Sequence, residues 1–163
     1  PMVVILDNIR SLHNVGSIFR TADGAGVEKL YLCGITPSPL DRFGTVRSDL
    51  AKVALGAEKT VAWEQAKTTT GCIANLKKQG FTVVALEQAP ESISIYNLTP
   101  NTYNLSKLAL VLGAEVEGVS PAALKKSDGI IEIPMVGAKE SLNVSVAFGI
   151  AAFALRDRLT THE

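Results

Sequence analysis

Short apolar runs recur along the chain: MVVIL (2–6), KLYLCG (29–34), TVAW (60–63), FTVVAL (81–86), LALVLG (108–113) and GIIEIP (129–134). Each has the length of a strand and is too continuously apolar to leave one face in water, so the runs predict strands covered on both sides. Between them the pattern turns helical. In NVGSIFRTADGAG, Val15, Ile18, Phe19 and Ala22 recur at helical spacing behind Asn14, a residue suited to capping the start. The stretch from Glu64 to Gln79 ends on Lys77, Lys78 and then Gly80, a helix stop. Ser120 and Pro121 open SPAALKKSDG as a cap and a first helical residue. The most apolar helical segment is KESLNVSVAFGIAAFALRDRL (139–159), with Ser141 and Asn143 at its head. Its Val144, Phe148, Ile150, Ala151, Phe153 and Leu155 cover more of the circumference than one packed face requires, so a second copy of the chain is expected against it. Alternating strands and helices predict an α/β fold with a mostly parallel sheet flanked by helices.

Two irregular stretches break this rhythm, 35–52 and 87–107. The first carries Arg42, Arg47 and Lys52 and is expected to face substrate; the second is expected to connect elements through a short helical turn. No repeat, low-complexity stretch or Pro-rich linker divides the 163 residues, which predicts a single domain. A composition of 47% hydrophobic and 20% charged residues excludes a disordered or collagen-like chain. Sixteen basic residues balance sixteen acidic ones, so a nucleic-acid partner would have to be met by a local patch or a dimer groove. Cys33 and Cys72 stand apart without metal-ligand spacing; they read as small core hydrophobes in a reducing compartment, and no metal is expected. No run approaches the roughly 18–20 apolar residues of a membrane span, and a cytoplasmic location without membrane contact is expected. The chain opens on Pro1 directly before a strand-like run, which leaves room for a native N-terminal extension.

Phosphate-binding loops fail on their chemistry. GAEVEGVS (113–120) spaces Gly113, Gly118 and Ser120 like a P-loop, yet Val119 stands where the phosphate-neutralising lysine is needed. DGAGVEK (23–29) sits at a helix end with Lys29 in the place of the third glycine of a dinucleotide fingerprint. The histidines, His13 and His162, lie near no nucleophile elbow, and His13 is read as incidental to catalysis.

Three polar-studded segments remain: LDNIRSLHNVGSIFRTADGAG (6–26), LVLGAEVEGVS (110–120) and IEIPMVGAKESLNVSVAFGIAAFAL (131–155). Their order and spacing resemble the three motifs of the SpoU (TrmH-like) branch of the SPOUT superfamily of RNA 2'-O-ribose methyltransferases. The third, with Ile-Pro-Met followed by Ser-Leu-Asn-Val-Ser, is the most specific. The resemblance implies a C-terminal deep trefoil knot, a homodimer with the active site at its interface, and S-adenosylmethionine as cofactor. It implies a cofactor pocket lined by Leu86, Ile133, Met135, Ser141 and Leu142, with Gly113, Gly118 and Gly137 making its tight turns. It further implies Arg20, Asn14, Glu115, Ser141 and Asn143 as the catalytic set, with Arg20 matching the motif-one arginine that activates the ribose hydroxyl.

Physical chemistry bounds those roles. A guanidinium is a poor base, so Arg20 is read as gripping the adjacent phosphate and stabilising the developing alkoxide. The alternative is a surface arginine paired with Asp23 or Glu28. Asn14 is either the cap of its helix or a group orienting Arg20; Ser141 and Asn143 either cap the last helix, face the methyl-donor pocket, or both. Ala114 departs from the family pattern, which usually has a polar residue before Glu115, and so do Val116 and Glu117. Many relatives add an RNA-binding domain, and this chain shows none; Arg10, Arg42, Arg47 and Lys52 are therefore the candidate phosphate contacts, with Arg156 and Arg158 as further ones or as C-terminal helix caps. The RNA implied is transfer or ribosomal RNA. A non-catalytic knotted RNA-binding or assembly protein and a small-molecule methyltransferase stay open as alternatives.

Overall fold

Strands apolar at every position are stable only where both faces of their sheet are covered. The chain, seen in a computed structural model that describes residues 1–160, meets that condition. In chain order its elements are β1 (Met2–Asp7), α1 (Leu12–Ala25), β2 (Lys29–Cys33), α2 (Ser48–Ala54), α3 (Ala57–Thr60), β3 (Ala62–Ala66), α4 (Thr69–Lys78), β4 (Thr82–Leu86), β5 (Ile93–Ser94), a 3-10 turn (Ile95–Asn97), β6 (Leu108–Leu112), α5 (Pro121–Lys126), β7 (Gly129–Glu132) and α6 (Val144–Thr160). The strands form one parallel sheet in the order β3-β2-β1-β6-β4-β7-β5.

Period-two alternation divides the core between the two faces. Val4, Leu6, Leu110 and Leu112 turn to the side of α1, α2 and α6, where they meet Val15, Ile18, Phe19, Leu50, Phe148, Ala151 and Leu155. Val3, Ile5, Ala109 and Val111 turn to the side of α4 and α5, with Cys72, Ile73, Leu76 and Ala123. Cys33 and Cys72 are free and buried on this second side. Hydrogen bonding to Cys72 and then burial raise the Cys33 thiol well above its ordinary range, as suits core residues. Along α6 the inward residues Phe148, Ala151, Ala152 and Leu155 are fully buried, while Val146, Ile150 and Phe153 remain exposed, the Phe153 ring reaching Gly24 of α1.

The third strand runs later than its apolar stretch suggests, at 62–66 instead of 60–63, and Glu64 belongs to it rather than to the following helix. The reason is position. β3 is an edge strand paired only with β2, so it needs no continuous apolar run, and its Glu64 reaches Lys29 on β2 at 3.3 Å. The helix begins at Thr69, with the Thr68 hydroxyl accepting from the Gly71 amide. Stretch 35–52 contains the start of α2, and 87–107 holds β5 and the 3-10 turn.

All strands point the same way, so the loops after β1, β4, β6 and β7 gather at one edge of the sheet, the edge where α/β proteins hold ligands. Asp7, at the end of β1 and 1% exposed, fixes part of that edge. Its Oδ1 accepts from Thr69 Oγ1 at 2.6 Å and its Oδ2 from the Ser120 amide at 2.8 Å, tying β1 to the starts of α4 and α5. Asp7→Ala is expected to lower the unfolding free energy by about 2–3 kcal/mol, because the Ser120 amide and the Thr69 hydroxyl lose a charged acceptor; urea denaturation measures it.

Candidate active site

The start of α1 sets the geometry. Ser11 is the cap, its Oγ accepting from the Asn14 amide at 3.1 Å, so Asn14 is not the capping residue. As the third residue of the helix, 7% exposed, Asn14 instead aims its side chain across the sheet edge. Its Nδ2 donates to Glu115 Oε1 at 3.2 Å, and its Oδ1 accepts from Asn143 Nδ2 at 3.3 Å. The three segments singled out by sequence thus meet at one amide.

The direction of these bonds is not free. The Asn143 Oδ1 accepts from the Ser145 amide at 2.9 Å, the Ser145 hydroxyl at 2.6 Å and the Val146 amide at 3.3 Å, which makes Asn143, and not Ser141, the cap of α6. Backbone amides only donate, so Asn143 must turn its Nδ2 toward Asn14; an ionised carboxylate only accepts, so Asn14 must turn its Nδ2 toward Glu115. Glu115 in turn accepts from the Ser11 amide at 3.2 Å and the Arg10 amide at 3.4 Å, placing its charge at the N-terminus of α1. Burial pushes the Glu115 carboxyl up, but hydrogen bonds from its own backbone, Asn14, Ser11 and Arg10 outweigh it and hold it below its ordinary value.

Beside this junction lies a cavity of about 620 Å³ at the carboxyl ends of β4, β6 and β7. Leu86, Gly113, Gly118, Ile133, Met135, Ser141 and Leu142 all line it, together with Glu115 and Asn143. Gly137 does not, and open space surrounds its α-carbon, so no tight turn depends on it. Gly113 is required by close approach: a Cβ there would stand 2.1 Å from the Val119 nitrogen and 2.2 Å from the Gly118 carbonyl carbon. The turn between them is pinned by Glu87, whose Oε2 accepts from the Val119 amide at 3.0 Å and whose Oε1 accepts from the Gln88 amide at 3.0 Å.

Glu87 was not among the residues expected from sequence, and neither were the lining carboxylates of Glu117, Glu132 and Glu140. The signal for two of them was present, since Glu87 directly follows β4 and Glu132 ends β7, both at the ligand-binding edge of a parallel sheet. With Glu115 these residues give the wall an acidic character, and no Lys, Arg or His side chain lines it among the described residues. Such a wall suits a cationic ligand and repels a phosphate.

Arg20 lies elsewhere in the chain. Six residues beyond Asn14 on α1, it stands about 9 Å further along the helix and about 240° around it. Its side chain is exposed and makes no hydrogen bond or ion pair among the described residues; Asp23, its alternative partner, accepts from Thr60 Oγ1 at 3.0 Å instead. Among the described residues no hydrogen bond joins Arg20 to Ser141 or Asn143. Of the basic candidates, Arg10, Arg42 and Lys52 are exposed and Arg47 is half-buried ahead of α2. Arg156 donates to the Gly24 carbonyl at 3.4 Å, and Arg158 donates to the carbonyls of Tyr96 and Leu98, so both hold α6 against other elements. His13 is exposed, and His162 lies outside the described residues. Among the described residues no group of acidic, His or Cys side chains could hold a metal, and no helix is long and apolar enough to cross a membrane.

Comparison with known proteins gives the same picture. The family model described as SpoU rRNA Methylase matches residues 1–153. The 23S rRNA (guanosine-2'-O-)-methyltransferase RlmB of Vibrio vulnificus (strain CMCP6) is 36% identical over 163 residues, covering 99% of this chain and 61% of the relative. The protein of the same name from Xanthomonas axonopodis pv. citri (strain 306) is 34% identical over 159 residues, covering 97% and 59%. The chain thus spans about three fifths of the length of these curated relatives. Among solved structures, an AdoMet-bound rRNA methyltransferase from Sinorhizobium meliloti superposes with a TM-score of 0.83 at 27% identity, over 97% of this chain and 56% of that one. The TrmH/SpoU tRNA modifying enzyme of A. aeolicus gives 0.80 at 30%, over 99% and 76%.

The Glu115 carboxyl, held below its ordinary value of 4.5, stabilises the folded chain above that pH, and its contribution fades as pH falls through the lowered value. The stability difference between the wild type and Glu115→Gln is expected to be level above about pH 5 and to shrink steadily below 4.5. Urea titrations at several pH values check it.

Proposed function

The chain belongs to the SpoU rRNA methylase family, and from that premise we propose that it transfers a methyl group from S-adenosylmethionine to a ribose 2'-hydroxyl of ribosomal RNA. The observation that carries the reading is the cavity: an acidic, cation-free wall of closely apposed backbone beside the Asn14–Glu115–Asn143 junction. The cofactor carries a sulfonium and no phosphate, which fits that donor set. Leu86, Ile133, Met135 and Leu142 would supply apolar contact for the adenine, and the backbone along the 113–119 turn, apart from the Ala114, Gly118 and Val119 amides bonded within the chain, would supply polar contacts. When bound, the cofactor supplies an electrophilic methyl group.

What the chain's own residues contribute is alignment, a way for the hydroxyl proton to leave, and exclusion of water. The Asn14–Glu115–Asn143 chain locks the start of α6 and its Ser141-bearing approach against the head of α1, so the cavity wall is rigid where the ribose must enter. The guanidinium of Arg20 grips the RNA phosphate and stabilises the developing alkoxide; being always protonated, it is no base, and the adjacent phosphate takes the proton.

Arg20 reaches this site from a second copy. It is exposed and unpartnered among the described residues, and it adjoins Thr21, which packs beside Gly149 of α6. The exposed stripe Val146, Ile150 and Phe153 runs along that same helix and is the apolar surface a homodimer would cover. The family's knotted passage belongs to this reading too, with segment 133–143 running along the cavity wall before α6 packs on α1. The RlmB relatives favour ribosomal RNA as substrate.

The test is calorimetry with S-adenosylmethionine followed by tritiated methyl transfer into ribosomal RNA and transfer RNA, with nuclease mapping of the labelled ribose. Saturable cofactor binding and 2'-O label in ribosomal RNA are expected; cofactor binding without transfer to either RNA would overturn the reading, and label in transfer RNA alone would overturn the choice of substrate. Arg20→Ala and Asn143→Ala are each expected to lose on the order of 100-fold or more in turnover. Mixing the two inactive variants is expected to recover part of the activity, since a mixed dimer rebuilds one intact site; no recovery would place Arg20 outside a shared site.

A further inference from the structure

The loop after β2 folds into a small hairpin that the proposed chemistry does not use. Leu40 bridges Val46, the Asp41 amide donates to the Thr45 carbonyl at 2.8 Å, and the Arg47 amide donates to the Pro39 carbonyl at 2.8 Å. Asp41 Oδ1 locks the tip from inside, accepting from the Phe43 amide at 2.8 Å and the Thr45 amide at 3.0 Å. Phe43 is 77% exposed on this rigid tip, and the Arg42 guanidinium lies over its ring at 4.8 Å from the centroid. A ring held outward by its own turn is presented to a partner without further ordering of the loop. The Arg42 cation occupies one face; the other is open.

The surroundings choose the occupant. Arg47 follows the tip with its Nε buried and without a hydrogen-bond partner, and Lys52 is exposed one turn into α2. The acids nearby are Asp41, whose Oδ1 is committed to backbone amides, and Asp49. The hairpin is also anchored to the active-site edge. The Ile35 amide donates to Asn8 Oδ1 at 3.0 Å and the Ile9 amide to Thr36 Oγ1 at 3.0 Å, and the next residues, Arg10 and Ser11, place their amides on Glu115. A cation-backed aromatic ring on a loop tied at its start to the active-site edge, with Arg47 and Lys52 following it in the chain, matches a nucleotide: a flat base for the ring and phosphates for the cations.

Resting on the reading above, we propose that Arg42 and Phe43 form a stacking platform for one unpaired base next to the methylated nucleotide. The substrate class is thereby narrowed to a loop or single-stranded segment of RNA, because a duplex keeps its base faces within its own stack. Phe43 is a specificity-determining residue that touches the substrate but not the reacting atoms.

The probe is a short single-stranded oligoribonucleotide carrying 2-aminopurine, whose fluorescence is quenched on stacking. Wild-type protein is expected to quench it saturably, and Phe43→Ala to weaken binding about tenfold. Phe43→Tyr should bind like wild type, whereas Phe43→Leu, apolar but without a flat π face, should fail as alanine does. Affinity for S-adenosylmethionine should be the same in all four proteins, and KM for RNA should rise with the loss of stacking. Three results would overturn the proposal: unchanged 2-aminopurine fluorescence with wild type, leucine binding as well as phenylalanine, or sedimentation showing that Phe43→Ala dissociates a dimer, which would assign the tip to a second copy of the chain. A wild-type protein that stacks the probe yet transfers no methyl group would sink the methyltransfer reading and leave the platform standing.

Discussion

A single asparagine amide holds the site together. Asn14 stands between a carboxylate that can only accept and a second amide whose own oxygen is committed to the head of α6, so both of its hydrogen bonds have one allowed direction. Through it the N-termini of two helices, more than a hundred residues apart in sequence, are fastened to the turn after β6. Substituting one member leaves its neighbours' polar groups unpaired at a partly buried position, which is why the three segments make sense only as a set.

Charge divides the molecule by task. The net balance of sixteen basic and sixteen acidic residues conceals a separation: carboxylates line the cavity, while Arg42 and Arg47 stand on the loop after β2 and Lys52 on α2, none of them in the cavity wall. Under the proposed function an acidic pocket favours a sulfonium but alone would repel RNA, which asks for basic side chains outside it. Zero net charge is therefore compatible with a nucleic-acid substrate that meets the protein through a narrow front.

Much of this was legible in the sequence, for identifiable reasons. The buried strands announced themselves because residues such as Val3, Val4 and Ile5 must satisfy two covered faces at once, and the caps at Ser120 and Pro121 obey local rules that tertiary structure did not override. Edge strand β3 was placed too early because an exposed edge imposes no apolar demand on Glu64 or Gln65. Asn14 was a candidate cap of α1 and Ser141 and Asn143 were both candidates for α6, whereas the chain uses Ser11 and Asn143, since several hydrogen-bonding residues compete within a few positions and only the path of the chain selects among them. Glu87 escaped because its role is to hold a turn that arrives from thirty-two residues away. Arg20 was expected to share a site with Asn143 at the interface of two copies; within the chain helical geometry turns it to another face of α1.

The most direct measurement of the central claim is a double-mutant cycle on the junction, comparing the unfolding free energies of wild type, Asn14→Ala, Asn143→Ala and the double variant in urea. A coupling of about 0.5–1.5 kcal/mol is predicted, because the two side chains share one hydrogen bond inside a connected chain. Losses that add to within about 0.3 kcal/mol would contradict the account, for then the two amides would not be joined.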